Sequence, residues 1–301
     1  MMHNKHLIRL VTILLVLLAG QATAFAQTFS GQLGTIPASD GAELRGNLAV
    51  QWNDELATSA RLFIDSDAKK EEIEGFAGSL LATTTSTLEI SLRAIEYAFD
   101  LGDARLAASI GGRYYREAVD EAGVFRLEAA NQQFSNIYGL TVFGPDIGLT
   151  FDIDLSAVEV GADVYLSPIG FYLVDQEIEI SPLIDGTRGE SSDGPAFLFT
   201  DARLDLSFFD LVGVQAIIRS VGFDIDLVGL GSSGGNYVFV TTNSSVRNTE
   251  TTLVGSLLLS LQGLGTFEIG GGYRWSSSQN LTTNAEPTVL GEPVFSFNLR
   301  I

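Results

Sequence analysis

The chain has 301 residues, with 17 Lys and Arg against 37 Asp and Glu, two His and no Cys. A formal charge of −20 with only three lysines (Lys5, Lys69, Lys70) leaves no electrostatic footprint for nucleic acid. The absence of Cys excludes disulfides, thiolate nucleophiles and thiolate metal ligands.

Residues 1–26 read as a cleaved secretory signal. Lys5 and Arg9 form a positive start, and Leu10 to Ala19 an apolar core broken only by Thr12. Ala24-Phe25-Ala26 is a small-residue cleavage site that would leave Gln27 first. No Cys follows, so lipoprotein processing is not expected. The apolar core is shorter than the ~20 residues a spanning helix needs, and no later apolar run approaches that length. Any membrane passage therefore falls to strands. Cleavage would remove His3, His6 and two cations, leaving a charge of 15 − 37 = −22. A chain without His or Cys lacks the commonest general base and the soft metal ligands, so no enzyme activity, cofactor or metal centre is expected. No Pro- or Ser-rich linker divides 27–301, which is read as one domain.

Apolar and polar residues alternate along that domain with the period of two that marks strands. The candidates in chain order are 28–35, 44–52, 55–64, 86–99, 104–116, 136–143, 147–155, 158–166, 170–180, 196–208, 212–223, 250–262, 266–276 and 293–301. Turn residues join many of them into hairpins. Asn53-Asp54, Asp100-Leu101-Gly102-Asp103, Gly144-Pro145-Asp146, Phe209-Asp210-Leu211 and Gly263-Leu264-Gly265 are read as tight turns. Polar stretches of 65–85, 117–135, 181–195, 224–249 and 277–292 are read as long loops, and Asn236 to Val240 as a further strand or a hairpin on one of them. One connection breaks the alternation of short and long: only Ser156-Ala157 stands where a long loop is due. Trp52, Tyr97, Phe99, Phe143 and Phe208 sit beside short turns, and Tyr114, Trp275 and Phe295 toward the long loops, as two interfacial belts would require.

Phe267, Ile269, Tyr273 and Trp275 alternate with Glu268, Gly270, Gly272 and Arg274. At the C-terminus Phe295, Phe297, Leu299 and Ile301 alternate with Ser296, Asn298 and Arg300. This pattern behind a secretory signal resembles bacterial outer-membrane β-barrels, and the last strand resembles their C-terminal targeting strand, with Ile where that family usually ends in Phe. The resemblance covers 27–301 by pattern and no specific motif. It implies an all-β fold: one transmembrane antiparallel up-and-down barrel of about fourteen strands, with twelve or sixteen also admissible. It further implies a place in the outer membrane, contact with its lipid and lipopolysaccharide, and handling by the barrel-assembly machinery.

With the apolar face toward lipid, parity turns a charged set inward: Arg45, Arg61, Glu89, Arg93, Arg105, Arg113, Asp152, Asp154, Glu159, Asp163, Glu179, Asp201, Arg203, Asp205, Arg219, Glu268, Arg274 and Arg300. These are the candidate pore-lining residues. The acids gather on candidate strands seven to ten and the arginines on the rest. Two readings stand open. Opposed arcs across a water-filled lumen would set up a transverse field, as in the constriction of porins. Alternatively, inward charges pair with neighbours and stiffen the wall. The expected function is a porin-like channel for passive diffusion of small hydrophilic solutes. The alternative is a plugged structural or surface-interaction barrel acting through acidic outer loops. A soluble β protein is disfavoured, since the face from Leu253 to Leu261 would need a partner sheet.

Overall fold

The computed structural model describes residues 28–37, 41–72, 80–127, 130–181, 184–191, 197–233, 236–261, 265–281 and 286–300. The proposed signal lies outside them. The strands are β1 (Thr28–Pro37), β2 (Gly41–Gln51), β3 (Leu56–Glu72), β4 (Leu80–Asp100), β5 (Ala104–Leu127), β6 (Ala130–Asp154) and β7 (Val158–Ser167). They continue with β8 (Phe171–Ser181), β9 (Ile184–Ser191), β10 (Phe197–Phe208), β11 (Val212–Ser233), β12 (Asn236–Leu261), β13 (Gly265–Asn280) and β14 (Thr288–Arg300).

All fourteen strands join one antiparallel sheet, and twelve of them close a barrel. The ring runs β1 to β7, then β10 to β14, and returns to β1 through pairs from Gln32↔Arg300 to Thr35↔Phe297. Closure leaves the ring no free edge, so the backbone polar groups of the membrane band are satisfied within the wall. β8 and β9 stand above the ring as an extension: β8 pairs with the upper half of β6, and β9 with β8.

The ring holds twelve rather than fourteen strands because Gly144-Pro145-Asp146 is not a turn, which makes 136–143 and 147–155 one strand, and because the expected strand 170–180 leaves the ring as β8. β6 runs straight through it, paired with β5 from Ala104↔Ile153 to Leu127↔Ala130. Gly and Pro are needed here for another reason: on its other edge β6 changes partner from β7 to β8. A Cβ on Gly144 would lie 2.2 Å from the carbonyl oxygen of Ile169, and Pro145 lacks an N–H where that ladder is interrupted. With this turn removed, Ser156-Ala157 becomes an ordinary short turn at the same end as those at 52–55, 100–103 and 208–211. These turns form from local chemistry. Asn53 Oδ1 accepts from the amides of Glu55 and Leu56, and Asp100 Oδ1 from Gly102. Phe209 and Asp210 both take φ of 53°, closing a two-residue turn through Leu211 N–H to the Phe208 carbonyl at 3.0 Å.

At the opposite end the expected long loops are largely strand. β3 and β4 pair up to Glu72↔Leu80, β5 and β6 to Leu127↔Ala130, and β11 and β12 to Ser233↔Asn236. Polar sequence misleads here, because a hairpin standing in water needs no apolar face. Asn236–Val240 is the returning limb of such a hairpin.

Apolar side chains face outward around the ring, among them Leu92, Ile110, Leu149, Val164, Leu204, Ile218, Leu257 and Ile269, all exposed. On β13 the band from Phe267 to Trp275 is nine residues long, about 30 Å of strand and roughly 23 Å of height once tilted, matching a barrel's lipid belt. Trp52, Tyr97 and Phe99 edge the band at the short-turn end. Tyr114, Phe143 and Phe171 lie on adjacent strands in register at the other. Phe143 therefore belongs to the upper belt, not beside a short turn.

Candidate functional site: a lumen with two unlike closures

Parity places the inward residues of neighbouring strands side by side, and the barrel brings distant ones together. Three tiers follow from the short-turn end upward.

The lowest is a vestibule of about 680 Å³. Eight carboxylates line it (Asp100, Asp103, Asp152, Asp154, Glu159, Asp163, Asp205 and Glu268) against Arg61, Arg105 and Arg203. The expected acidic residues of β6 and β7 meet here with Asp205 of β10. Glu268 is buried and accepts from Ser256 at 2.5 Å and from Asn298 at 3.2 Å.

The middle tier is a charged belt. Its free space narrows to about 90 Å³, beside Arg45, Arg61, Phe63, Glu89, Asp201 and Arg219. Arginines cross this neck. Arg61 of β3 reaches Asp163 of β7 at 2.5 Å and Asp201 of β10 at 3.8 Å. Arg219 of β11 reaches Glu89 of β4. Those partners lie four or five strands apart in a ring of twelve, so the bonds span the lumen. Near them, Arg113 donates to Glu89 at 2.6 Å and to both oxygens of Asp146 at 3.0 and 3.1 Å. Ser91 and Ser167 also donate to Asp146. A second group joins Arg45 and Arg274 to Glu43 and Glu250.

Three inward rings lie among these guanidinium groups. Tyr165 lies between Arg61 at 4.2 Å and Arg93 at 3.6 Å, Phe199 lies 3.6 Å from Arg113, and Phe63 lies 3.8 Å from Arg219. Stacking on a ring holds a cation where few water molecules fit and fixes the guanidinium plane. The belt is thus packed: Arg93, Arg113 and Arg274 are 5% exposed or less. Tyr165 can lie over the neighbouring strand β6 because its partner there, Gly148, has no side chain; a Cβ on it would be 2.3 Å from the ring.

The upper tier holds an apolar cluster with paired polar groups beside it: Tyr115 donates to Glu117, Asn136 to Glu121 and Gln176 to Asn136. Tyr115, Tyr138, Leu140, Val142, Val174, Phe199, Val221 and Phe223 form one buried cluster, with Val119 and Val246 packed against it. Leu140 and Phe199 are fully buried. This plug, built from β5, β6, β8, β10 and β11, packs inside the barrel toward the long hairpins.

Of the sequence-expected inward set, the sixteen from Arg45 to Arg274 without Glu179 turn to the interior. Glu179 is exposed on the outer side of β8, because the chain passes through Pro168-Ile169-Gly170 between β7 and β8 and the parity of inward residues shifts there. The side chain of Arg300 lies outside the described ones. Glu43, Asp146, Glu250 and the three rings were missed. Glu250 had a usable signal, since it shares parity with Thr252, Val254 and Ser256, which β12 buries. Asp146 was hidden by the misread turn, which also sent Tyr138, Leu140 and Val142 to the lipid face. The opposed arcs exist in sequence, but the braces link them across the lumen, so they do not face each other across open water.

No protein-family model and no curated protein matches the sequence. Solved structures of similar fold include the translocator domain of the autotransporter NalP from Neisseria meningitidis, 11% identical over 99% of this chain and 98% of that one, TM-score 0.43. The toluene transporter TbuX of Ralstonia pickettii is 10% identical over 91% and 89%, TM-score 0.41. The outer membrane protease OmpT of Escherichia coli is 12% identical over 91% of both chains, TM-score 0.38. All three are bacterial outer-membrane barrels, and what they share with this chain is the barrel.

Proposed function

We propose that this protein is a narrow outer-membrane channel, closed at rest, and not an open porin. The apolar band supports the outer-membrane location, with short turns toward the periplasm. A secretory signal at 1–26, assembly by the barrel machinery and contact of the belt with lipid and lipopolysaccharide belong to the same reading. The observation that carries it is the neck: about 90 Å³ of free space, enough for about three waters, above a vestibule of 680 Å³. Water and small hydrophilic ions or solutes fit that dimension once the lumen opens above. The excess of carboxylates in the vestibule favours cations entering from the periplasm. The reading assigns no catalytic role to the lumen.

Planar-bilayer recording of the purified barrel tests this. The expected result is rare openings of small unit conductance, with a clear rise in unit conductance for Arg61→Ala, which removes the brace to Asp163 and Asp201. A large steady conductance in the unmodified protein would show an open porin. Silence in both proteins would favour the second reading, a sealed scaffold working through its outer hairpins. The near-complete burial of Arg113 and Arg274 speaks for that alternative.

A further inference from the structure

We propose that Asp65 is a proton-sensing residue at the upper side of the charged belt: protonated, it lets the ion pairs of Glu43 and Glu250 close across the lumen, and ionised, it loosens them. This rests on the channel reading and names what regulates it.

The first observation is register. Glu43 of β2 and Asp65 of β3 stand directly opposite each other, and both turn inward by the parity of Arg45 and Arg61. Cβ atoms so placed are about 5 Å apart, and like charges at that distance repel. Glu250 of β12, five strands away round the ring, adds a third carboxylate from across the lumen.

The second is the supply of partners. Arg45 pairs with Glu43 and lies 3.4 Å from Glu250. Arg274 lies 3.3 Å from Glu43, 3.7 Å from Glu250 and 3.4 Å from Glu292. Arg219 is held by Glu89. Among the described residues Asp65 has no ion pair, so it is the carboxylate for which this group holds no cation. On its other edge Asp65 meets Thr87 of β4, which cannot neutralise it, and beyond Thr87 stands Glu117 of β5. Asp67 is its inward neighbour on β3 itself.

The third is position. On the outer face of β3 the apolar run ends at Ile64, and the exposed Ser66 and Ala68 follow. Ile64 is in register, through Leu88, with the exposed Arg116 of β5. Asp65 therefore stands just above the lipid band. Burial, and after it Glu43, push its carboxyl up to about 6; Arg274 pulls the other way, Glu250 adds to the push and Arg219 to the pull.

Linkage gives the sign. The crowded, closed arrangement binds the proton more tightly than an open one, in which water reaches Asp65 and screens it from Glu43. Acid therefore favours closure, between the ordinary carboxylate range and about pH 6. Ionised Asp65 competes with Glu43 and Glu250 for Arg45, which lines the neck.

In bilayers open probability should fall about tenfold from pH 7 to pH 5 at unchanged unit conductance. Asp65→Asn, uncharged throughout, should show the low value at both pH values. Asp120→Asn, exposed on the outer side of β5, should keep the full response. A second readout needs no current: the urea midpoint of the unmodified barrel should rise from pH 7 to pH 5, and Asp65→Asn should diminish that rise. Heat-modifiable migration on gels verifies folding, and Asp65→Ser carries the test should the Asn variant not fold. A pH response that survives in Asp65→Asn, or none in the unmodified protein, would overturn the sensor and leave the channel. Silence of every protein at both pH values, Arg61→Ala included, would overturn the channel reading itself.

Discussion

The two ends of the lumen are built by the same strands under the same parity rule, yet one is open and the other closed. At the short-turn end β5, β6 and β10 turn Arg105, Asp152, Asp154 and Asp205 inward, and an open vestibule results. Six to twelve residues higher the same strands turn Tyr115, Leu140 and Phe199 inward into a packed cluster. Charged groups keep their hydration unless each finds a partner, whereas apolar groups gain by excluding water. The belt between shows the intermediate case: its charges are largely shielded from water because they are paired and stacked. Openness in this barrel is therefore set tier by tier by side-chain chemistry, not by strand number alone.

The largest expected effect comes from unpairing the belt. Arg113→Ala leaves Glu89 without one partner and Asp146 with only serine donors, and should cost about 3–5 kcal/mol in urea unfolding of the folded barrel. A loss below about 1 kcal/mol would mean the belt is wetter than its burial indicates. Leu140→Ala should cost about 2–5 kcal/mol by opening a cavity in the plug. An equal-sized substitution facing the vestibule should cost far less, and similar costs at both ends would erase the contrast. Leu257→Arg, on the exposed outer face, should cost about 2–4 kcal/mol in lipid by placing a cation near mid-membrane. No loss in a bilayer, or folding without detergent, would argue that the band never meets lipid. The smallest effect on stability belongs to the vestibule: Asp152→Asn with Asp154→Asn and Asp205→Asn should change it by about 1 kcal/mol or less. The same variant should shift the reversal potential in a salt gradient away from cations. An unmoved potential would show that the vestibule plays no part in selection.

Much of the wall is legible in the order of residues alone. The alternation at Phe267–Trp275 identifies a wall strand, its lipid face and its inward residues Glu268 and Arg274, because side-chain direction in a strand depends only on parity. The same rule points Arg61, Asp163 and Asp201 inward from three separate segments. It fails where local composition has two meanings. Gly144-Pro145-Asp146 has turn chemistry, but the backbone uses it for a change of partner strand. Reading it as a turn moves Tyr138, Leu140 and Val142 to the wrong face and conceals both Asp146 and the plug. The short Ser156-Ala157 connection is the visible trace of the error, since it puts two short turns in succession unless the earlier one is removed.

By itself the sequence determined most of the wall strands, the two faces of most of those, the end at which short turns gather and most of the charges that point inward. These are local properties, fixed by a period of two and by turn residues a few positions apart. Only the tertiary structure decided that twelve strands close the ring and that β8 and β9 rise above it. It also decided that Arg61 and Arg219 meet carboxylates across the lumen and that Val174 packs in one cluster with Phe223. Such contacts depend on ring closure and register, which bring together residues more than 100 positions apart. No local pattern encodes which of the inward groups will meet.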